Sequence, residues 1–166
     1  MRYQHICKSY QWVISILESI GSWFPYLMLR FILAWEFGEA GLAKLNGENW
    51  FATLTFPFPF NLVSPDFSWA LSAYFELFGA IALILGLATR FFSASLIVLT
   101  IVAIATVHWP ESWNTLGELW QGYAITNKGF GNYKLPLLLL IMLLPLFFNG
   151  AGRLIVDDWL NKRCKR

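Results

Sequence analysis

From Leu135 to Phe148 the chain reads LPLLLLIMLLPLFF, with no polar side chain of any kind. A helix of that composition is apolar all round, so it has no face to turn to water and belongs in lipid or a protein core. Three further stretches are long and mainly apolar: about Pro25 to Leu45, Trp69 to Leu87 and Phe91 to His108. About 20 such residues make one helical crossing of a bilayer. Only 13% of the 166 residues are charged while 57% are hydrophobic, and soluble domains carry about 25% charged residues. Charge this sparse cannot coat a globule. The length suits one domain, and four spans leave room for loops where six would not. The expectation is an all-α integral membrane protein, a four-transmembrane-helix bundle with an amphipathic interfacial helix ahead of it.

That first helix is read between Tyr10 and Gly21, where Val13, Ile16, Leu17 and Ile20 recur at helical spacing opposite Gln11, Ser15 and Glu18. It is too polar to span, and Trp12 and Lys8 suit a headgroup region. Gly21 and Ser22 end it, and Pro25 suits the first turn of the next helix. The chain thus divides into an N-terminal amphipathic segment, 1–22, a transmembrane domain, 23–160, and a basic tail, 161–166. The short GLATR segment, Gly86 to Arg90, makes the second and third spans an antiparallel hairpin. In the fourth span, about Tyr133 to Phe148, Pro136 and Pro145 stand near the ends, where they harm a helix least.

Two longer connections, Asn46 to Ser68 with its FPFPF run and Pro110 to Asn132, are rich in aromatics. Trp50, Phe51, Trp109, Trp113, Trp120 and Tyr123 read as an interfacial belt. Arg2, Lys8, Arg90, Arg153, Lys162, Arg163, Lys165 and Arg166 fall on one side of four spans, and Lys128 with the boundary residues Lys44 and Lys134 on the other. The positive-inside rule then puts both termini in the cytoplasm. Cys7 and Cys164 fall in that reducing compartment, which argues against a structural disulfide. The start of the chain lacks the continuous apolar core and cleavage site of a signal peptide.

His5, Cys7 and Cys164 are too few and too scattered for a metal site, and no metal is assigned. There is no phosphate loop, nucleophile elbow or dinucleotide fingerprint. The net charge of +2 is spread over termini and loops, which gives nucleic-acid binding no support.

The ionisable residues inside the spans carry the functional reading, because such groups are costly in lipid and are candidate sites by default. The first span holds Arg30, Glu36 and Glu39, with Lys44 at its outer end; the second holds Glu76, and the third ends at His108. Counting about 1.5 Å of rise per residue puts Glu39 and Glu76 at similar depth in the outer half, with His108 and Glu111 nearer the rim. One reading is a polar pocket between helices in which Glu39, Glu76 and His108 bind or relay a proton, polar substrate or metal. The other is a buried ion-pair network in which Arg30 and Lys44 neutralise the carboxylates, as buried pairs do without catalysis. Ala34, Gly38 and Gly41 form a stripe of small residues suited to close helix packing.

These residues resemble the DoxX family of small bacterial four-helix membrane proteins. The likeness runs from Arg30, Gly41 and Lys44 in RFILAWEFGEAGLAK, through Glu76 in YFELFGAIALILGLATR with Arg90, to His108 and the GAGRLIVD segment with Asp157. EAGLAKLNGENWF followed by FPFPF is similar to members that accompany biosynthesis of copper-binding modified peptides. The chain departs from the family pattern at Ala151, where proline is usual, at Ile155, where serine is usual, and at Glu36, where the family is usually apolar.

The resemblance implies a bacterial inner-membrane component of a redox or copper-stress pathway, working with a membrane or soluble protein partner and open to homo-oligomer formation. The family's association with quinone-linked or thiol redox systems leaves the cofactor open, with quinone one candidate. The alternatives are a quinone-reducing oxidoreductase subunit, a small transporter or export partner, and a scaffold whose charges only hold helices together. Glu76, His108 and Glu39 are the candidate catalytic residues, and Arg30, Glu36, Lys44 and Arg90 the candidate substrate-binding or ion-pair residues.

Overall fold

The computed structural model describes residues 2–110, 112–123 and 131–152, with residues 2–9 described at the backbone only. Expectations concerning Glu111, Lys128, Arg153, Ile155, Asp157, Cys164 and residues 161–166, and the side chains of Arg2, His5, Cys7 and Lys8, lie outside the described residues.

The regular elements described are all helical: α1 (Arg2–Gly21), α2 (Phe24–Asn46), α3 (Pro65–Leu85), α4 (Thr89–Ala103), α5 (Leu116–Tyr123) and α6 (Lys134–Asn149). A π-helical turn, Ile104–His108, extends α4, and short 3-10 turns at Phe51–Thr53 and Phe60–Leu62 punctuate the α2–α3 connection. α2 packs on α3, α3 on α4, α4 on α6 and α6 on α2, so these four close a ring. Leu33, Ala34 and Phe37 of α2, Ala80 and Leu83 of α3, Leu96 of α4, and Leu143 and Leu146 of α6 fill its middle.

Local sequence explains the element ends. α1 and α2 are separated only by a turn at Ser22 and Trp23, where the Ser22 hydroxyl donates to the Ser19 carbonyl at 2.7 Å. Pro25 sits in the first turn of α2, where no donor is lost from the helix ladder. α3 begins at Pro65, one turn before the expected Trp69. The Ser64 hydroxyl accepts from the Phe67 amide, Pro65 fixes the first turn, and Asp66 adds an acidic group where the helix dipole favours it. The α3–α4 hairpin turns at Gly86, whose φ of 64° lies in the left-handed region. The Leu87 amide reaches back to the Ala82 carbonyl at 2.9 Å, the long bond of a Schellman end.

Three helical stretches are long and apolar enough to cross a membrane: Tyr10–Asn46, which runs through the α1–α2 turn, Pro65–Leu85 and Thr89–His108. α6 has 16 residues, about 24 Å of helix against a hydrocarbon core of about 30 Å. It is a shorter apolar helix rather than a fourth of full length. The outer surface of the ring suits lipid. On α3 the exposed residues Phe67, Leu71, Tyr74, Phe78, Ile81 and Leu85 follow a helical stripe opposite the buried Ala73, Glu76, Ala80 and Leu83. A monomeric soluble protein does not present an apolar belt of this extent to water.

Candidate functional site

α2 and α3 make the most extensive helix contact in the structure, and glycine makes it possible. A Cβ at Gly41 would stand 2.8 Å from the Leu77 side chain, 3.0 Å from the Ala73 carbonyl and 3.2 Å from the Glu76 Cβ. This close approach brings the last turns of α2 beside the middle of α3. The Lys44 ammonium therefore meets the Glu76 carboxylate, at 2.6 Å from Oε2 and 2.7 Å from Oε1. Glu76 is 3% exposed and Lys44 half-buried. An ammonium has three donors and a carboxylate about four acceptor sites. With both carboxylate oxygens facing Lys44, the pair keeps one ammonium N–H and several carboxylate lone pairs for another partner.

What lies beside the pair is a cavity of about 430 Å³, partly open, between α3 and α4. Lys44, Ser72 and Glu76 line it from α2 and α3, Ser95, Val98, Leu99 and Val102 from α4, and Thr106, Val107 and His108 from the π turn. Trp50, Phe51, Phe56 and Phe60 from the α2–α3 connection line another side. Phe51 is buried among Trp50, Phe56 and Trp69, with ring centroids 5.1, 5.2 and 5.0 Å away. The connection expected as an interfacial belt thus forms an aromatic wall. Three of the four hydroxyls along the cavity donate to their own helices, Ser72 to the Trp69 carbonyl at 2.8 Å, Ser95 to Phe91 at 3.0 Å and Thr106 to Val102 at 2.8 Å, and the fourth is Ser68. Those three offer acceptor lone pairs rather than donors, and Lys44 is the charged donor on the cavity wall.

His108 stands at the end of the π turn, which closes with the Trp109 amide on the Ile104 carbonyl at 2.8 Å. Such turns shift the register of the side chains that follow and recur at functional sites. The His108 ring Nδ1 lies 2.6 Å from Asn132 Oδ1, and the Asn132 amide donates to the His108 carbonyl at 3.0 Å. With Asn132 Oδ1 facing the ring as acceptor, the neutral tautomer that fits this contact carries its hydrogen on Nδ1 and its lone pair on Nε2. Gly131 makes this strap possible. Its φ is +80°, and a Cβ there would collide with the His108 carbonyl.

Arg30 works at the other end of the ring. It is 3% exposed, and its Nε and one terminal nitrogen each donate at 2.6 Å, to the Leu83 and Ile84 carbonyls, while the other terminal nitrogen reaches the Ala151 carbonyl at 3.3 Å. Both Leu83 and Ile84 belong to the last turn of α3, where Leu83 also accepts from the Gly86 amide at 3.2 Å, and a cation there complements the dipole. Arg90 is exposed at the start of α4, near Gly150.

The sequence-named residues therefore separate. Lys44, Glu76 and His108 share one cavity. Glu39 is exposed on the outward face of α2 and Glu36 half-buried on its flank; neither lines the cavity. Similar depth did not bring Glu39 to Glu76, because the two point to different sides of the bundle. Asn132, Ser72 and the aromatic wall were not singled out in the sequence as parts of a site. For Asn132 the nearest signal is the adjoining glycine. Among the described residues no three His, Cys, Asp or Glu side chains converge to hold a metal ion.

Comparison with known proteins follows the same segment of chain. The DoxX family model matches residues 26–109, which hold nearly all of α2 together with α3, α4 and His108. A protein of Haemophilus influenzae, described as uncharacterized, is 42% identical over 148 residues, covering 88% of this chain and 89% of its own. No solved structure matches the chain. The chain belongs to the DoxX family of membrane proteins.

Proposed function

We propose that this protein is an accessory component of a redox pathway in the bacterial inner membrane, and that its cavity receives a quinone-type ring from the bilayer. The observation that carries this reading is the Lys44–Glu76 pair set into the side of an aromatic cavity. Pockets for small ligands hold about 300–1,000 Å³ and combine apolar walls with a few placed polar groups. Phe51 and Phe56 would flank a flat conjugated ring, the remaining Lys44 N–H would donate to a quinone carbonyl, and Glu76 would accept from a quinol hydroxyl. A bound quinone supplies a couple that takes up two electrons and two protons. The chain's residues would hold the oxygens, with Glu76 and His108 Nε2 accepting protons from a quinol, while the two electrons would pass to a redox partner protein, since none of the side chains lining the cavity is an electron acceptor.

The membrane placement belongs to the same reading. α6 is the fourth span, α1 lies on the cytoplasmic surface, and both termini are cytoplasmic. The Lys and Arg distribution and the alternation of apolar and polar residues in Tyr10–Gly21 support it. The cavity then sits in the extracytoplasmic half. The EAGLAKLNGENWF and FPFPF segments support a finer assignment to copper-linked modified-peptide pathways, which the neighbouring genes would test.

A scaffold is the second reading, favoured by the fact that each charge of the Lys44–Glu76 pair already meets its opposite. Titrating the purified protein with a short-chain quinone, read by tryptophan quenching, separates the two. The redox reading expects saturable binding that Glu76→Gln weakens about tenfold or more, since a hydrogen bond to a charged group contributes about 1.5–3 kcal/mol. Absence of saturable binding, or equal binding by the variant, favours the scaffold. Substrate flux in vesicles holding this protein alone would instead favour a transporter.

A further inference from the structure

α2 does all its packing within the ring on one side. Leu33, Ala34, Phe37 and Gly41 are buried there. At about 100° per residue, Glu39 stands about 200° from Phe37, on the opposite side of the helix. It is exposed, and so are Ile32, Trp35 and Leu42, which share its stripe at the spacing of a helix-packing seam. Glu39 lies about two turns, roughly 10 Å, before the end of a helix about 35 Å long, so its carboxyl stands at hydrocarbon depth. An intramembrane carboxyl facing lipid is unfavourable, and such groups are almost always covered by a partner. None of the hydrogen bonds or ion pairs among the described residues involves Glu39.

Charge decides what covers it. The cations of this chain nearest that depth are engaged on the packed side, Lys44 by Glu76 and Arg30 by the end of α3. A second copy packed on the same face would bring only another Glu39. We propose that this face docks a transmembrane helix of a different membrane protein, one that carries a lysine or arginine near mid-span as the counter-charge to Glu39. Ile32, Trp35 and Leu42 supply the apolar seam around that ion pair. This surface is separate from the cavity and stands whether or not a quinone binds there.

The test reconstitutes the full chain, carrying a donor fluorophore, in lipid vesicles with acceptor-labelled leucine-based transmembrane peptides that have a central lysine or a central leucine. Energy transfer is expected to show about tenfold tighter association with the lysine peptide. Glu39→Gln and Glu39→Leu are expected to remove that preference, and both keep the fold because Glu39 is exposed and makes no hydrogen bond or ion pair among the described residues. Equal association of the two peptides overturns the proposal, as does a preference that survives in Glu39→Leu. Energy transfer between copies of the chain that is lost in Glu39→Leu also overturns it, by assigning the face to self-association.

Discussion

The Lys44 ammonium lies within 2.7 Å of both carboxylate oxygens of Glu76, tying the last turn of α2 to α3 where both line the cavity. Removing one member strands the other. Glu76→Ala is expected to destabilise the protein by about 3 kcal/mol, the low end for a broken buried pair because Lys44 keeps some solvent access. The double variant Lys44→Met/Glu76→Met leaves no stranded charge and is expected to recover most of that loss. Thermal unfolding in one detergent, analysed as a double-mutant cycle, measures both.

Gly41 and Gly38 share a stripe on α2 but not a tolerance. At Gly41 an added methyl meets the Ala73 carbonyl and the Leu77 side chain, whereas at Gly38 it makes ordinary contact with the Ala80 Cβ at 3.6 Å. Gly41→Ala is expected to cost about 1–3 kcal/mol by forcing α2 from α3, and Gly38→Ala close to nothing. Unfolding midpoints of the two variants side by side give the answer.

Arg30 holds the end of α3 through a planar fork, with Nε and a terminal nitrogen on adjacent carbonyls. Lysine keeps the charge but cannot hold both carbonyls in that geometry. Arg30→Lys is therefore expected to lose at least about 1.5 kcal/mol, a stranded buried carbonyl included. Recovery of stability close to wild type in Arg30→Lys would mean that charge alone suffices there.

The Gly131 turn holds the Asn132 amide on the His108 ring. Gly131→Ala is strained by its positive φ and by the His108 carbonyl, and is expected to cost at least about 1 kcal/mol. Asn132→Ala leaves the turn but removes the acceptor from Nδ1. Nitrogen chemical shifts of the His108 ring are expected to show one neutral tautomer, hydrogen on Nδ1, in the native protein and a mixture in Asn132→Ala.

Much of this was legible in the residues. The apolar runs located α2, α4 and α6 to within about two residues at most of their ends, and the GLATR turn located the hairpin. The stripe of Ala34, Gly38 and Gly41 marked the packed face of α2, and Lys44, one turn beyond Gly41, continues it. That stripe also held the answer for Glu39. Depth follows from rise along the helix, but direction follows from angle, and two residues from Phe37 is the far side. The start of α3 was hidden because Ser64, Pro65 and Asp66 sit in an aromatic, proline-rich stretch that read as loop. The π turn was not foreseeable from periodicity, since one widened turn leaves the apolar pattern almost unchanged. The aromatic wall is a long-range arrangement. Phe51 is placed by its packing against Trp69 of α3, which no local pattern encodes.

The most direct test of the account is the quinone content of the protein withdrawn from bacterial membranes into lipid nanodiscs, set beside that of the Lys44→Met/Glu76→Met variant. That variant keeps a neutral, packed interior and the aromatic wall but lacks the polar groups that hold a ring's oxygens. The account expects solvent extracts to contain quinone close to one per protein in the native chain and only the background of the surrounding lipid in the variant. Equal quinone in the two, at matched lipid content and unfolding temperature, would contradict it.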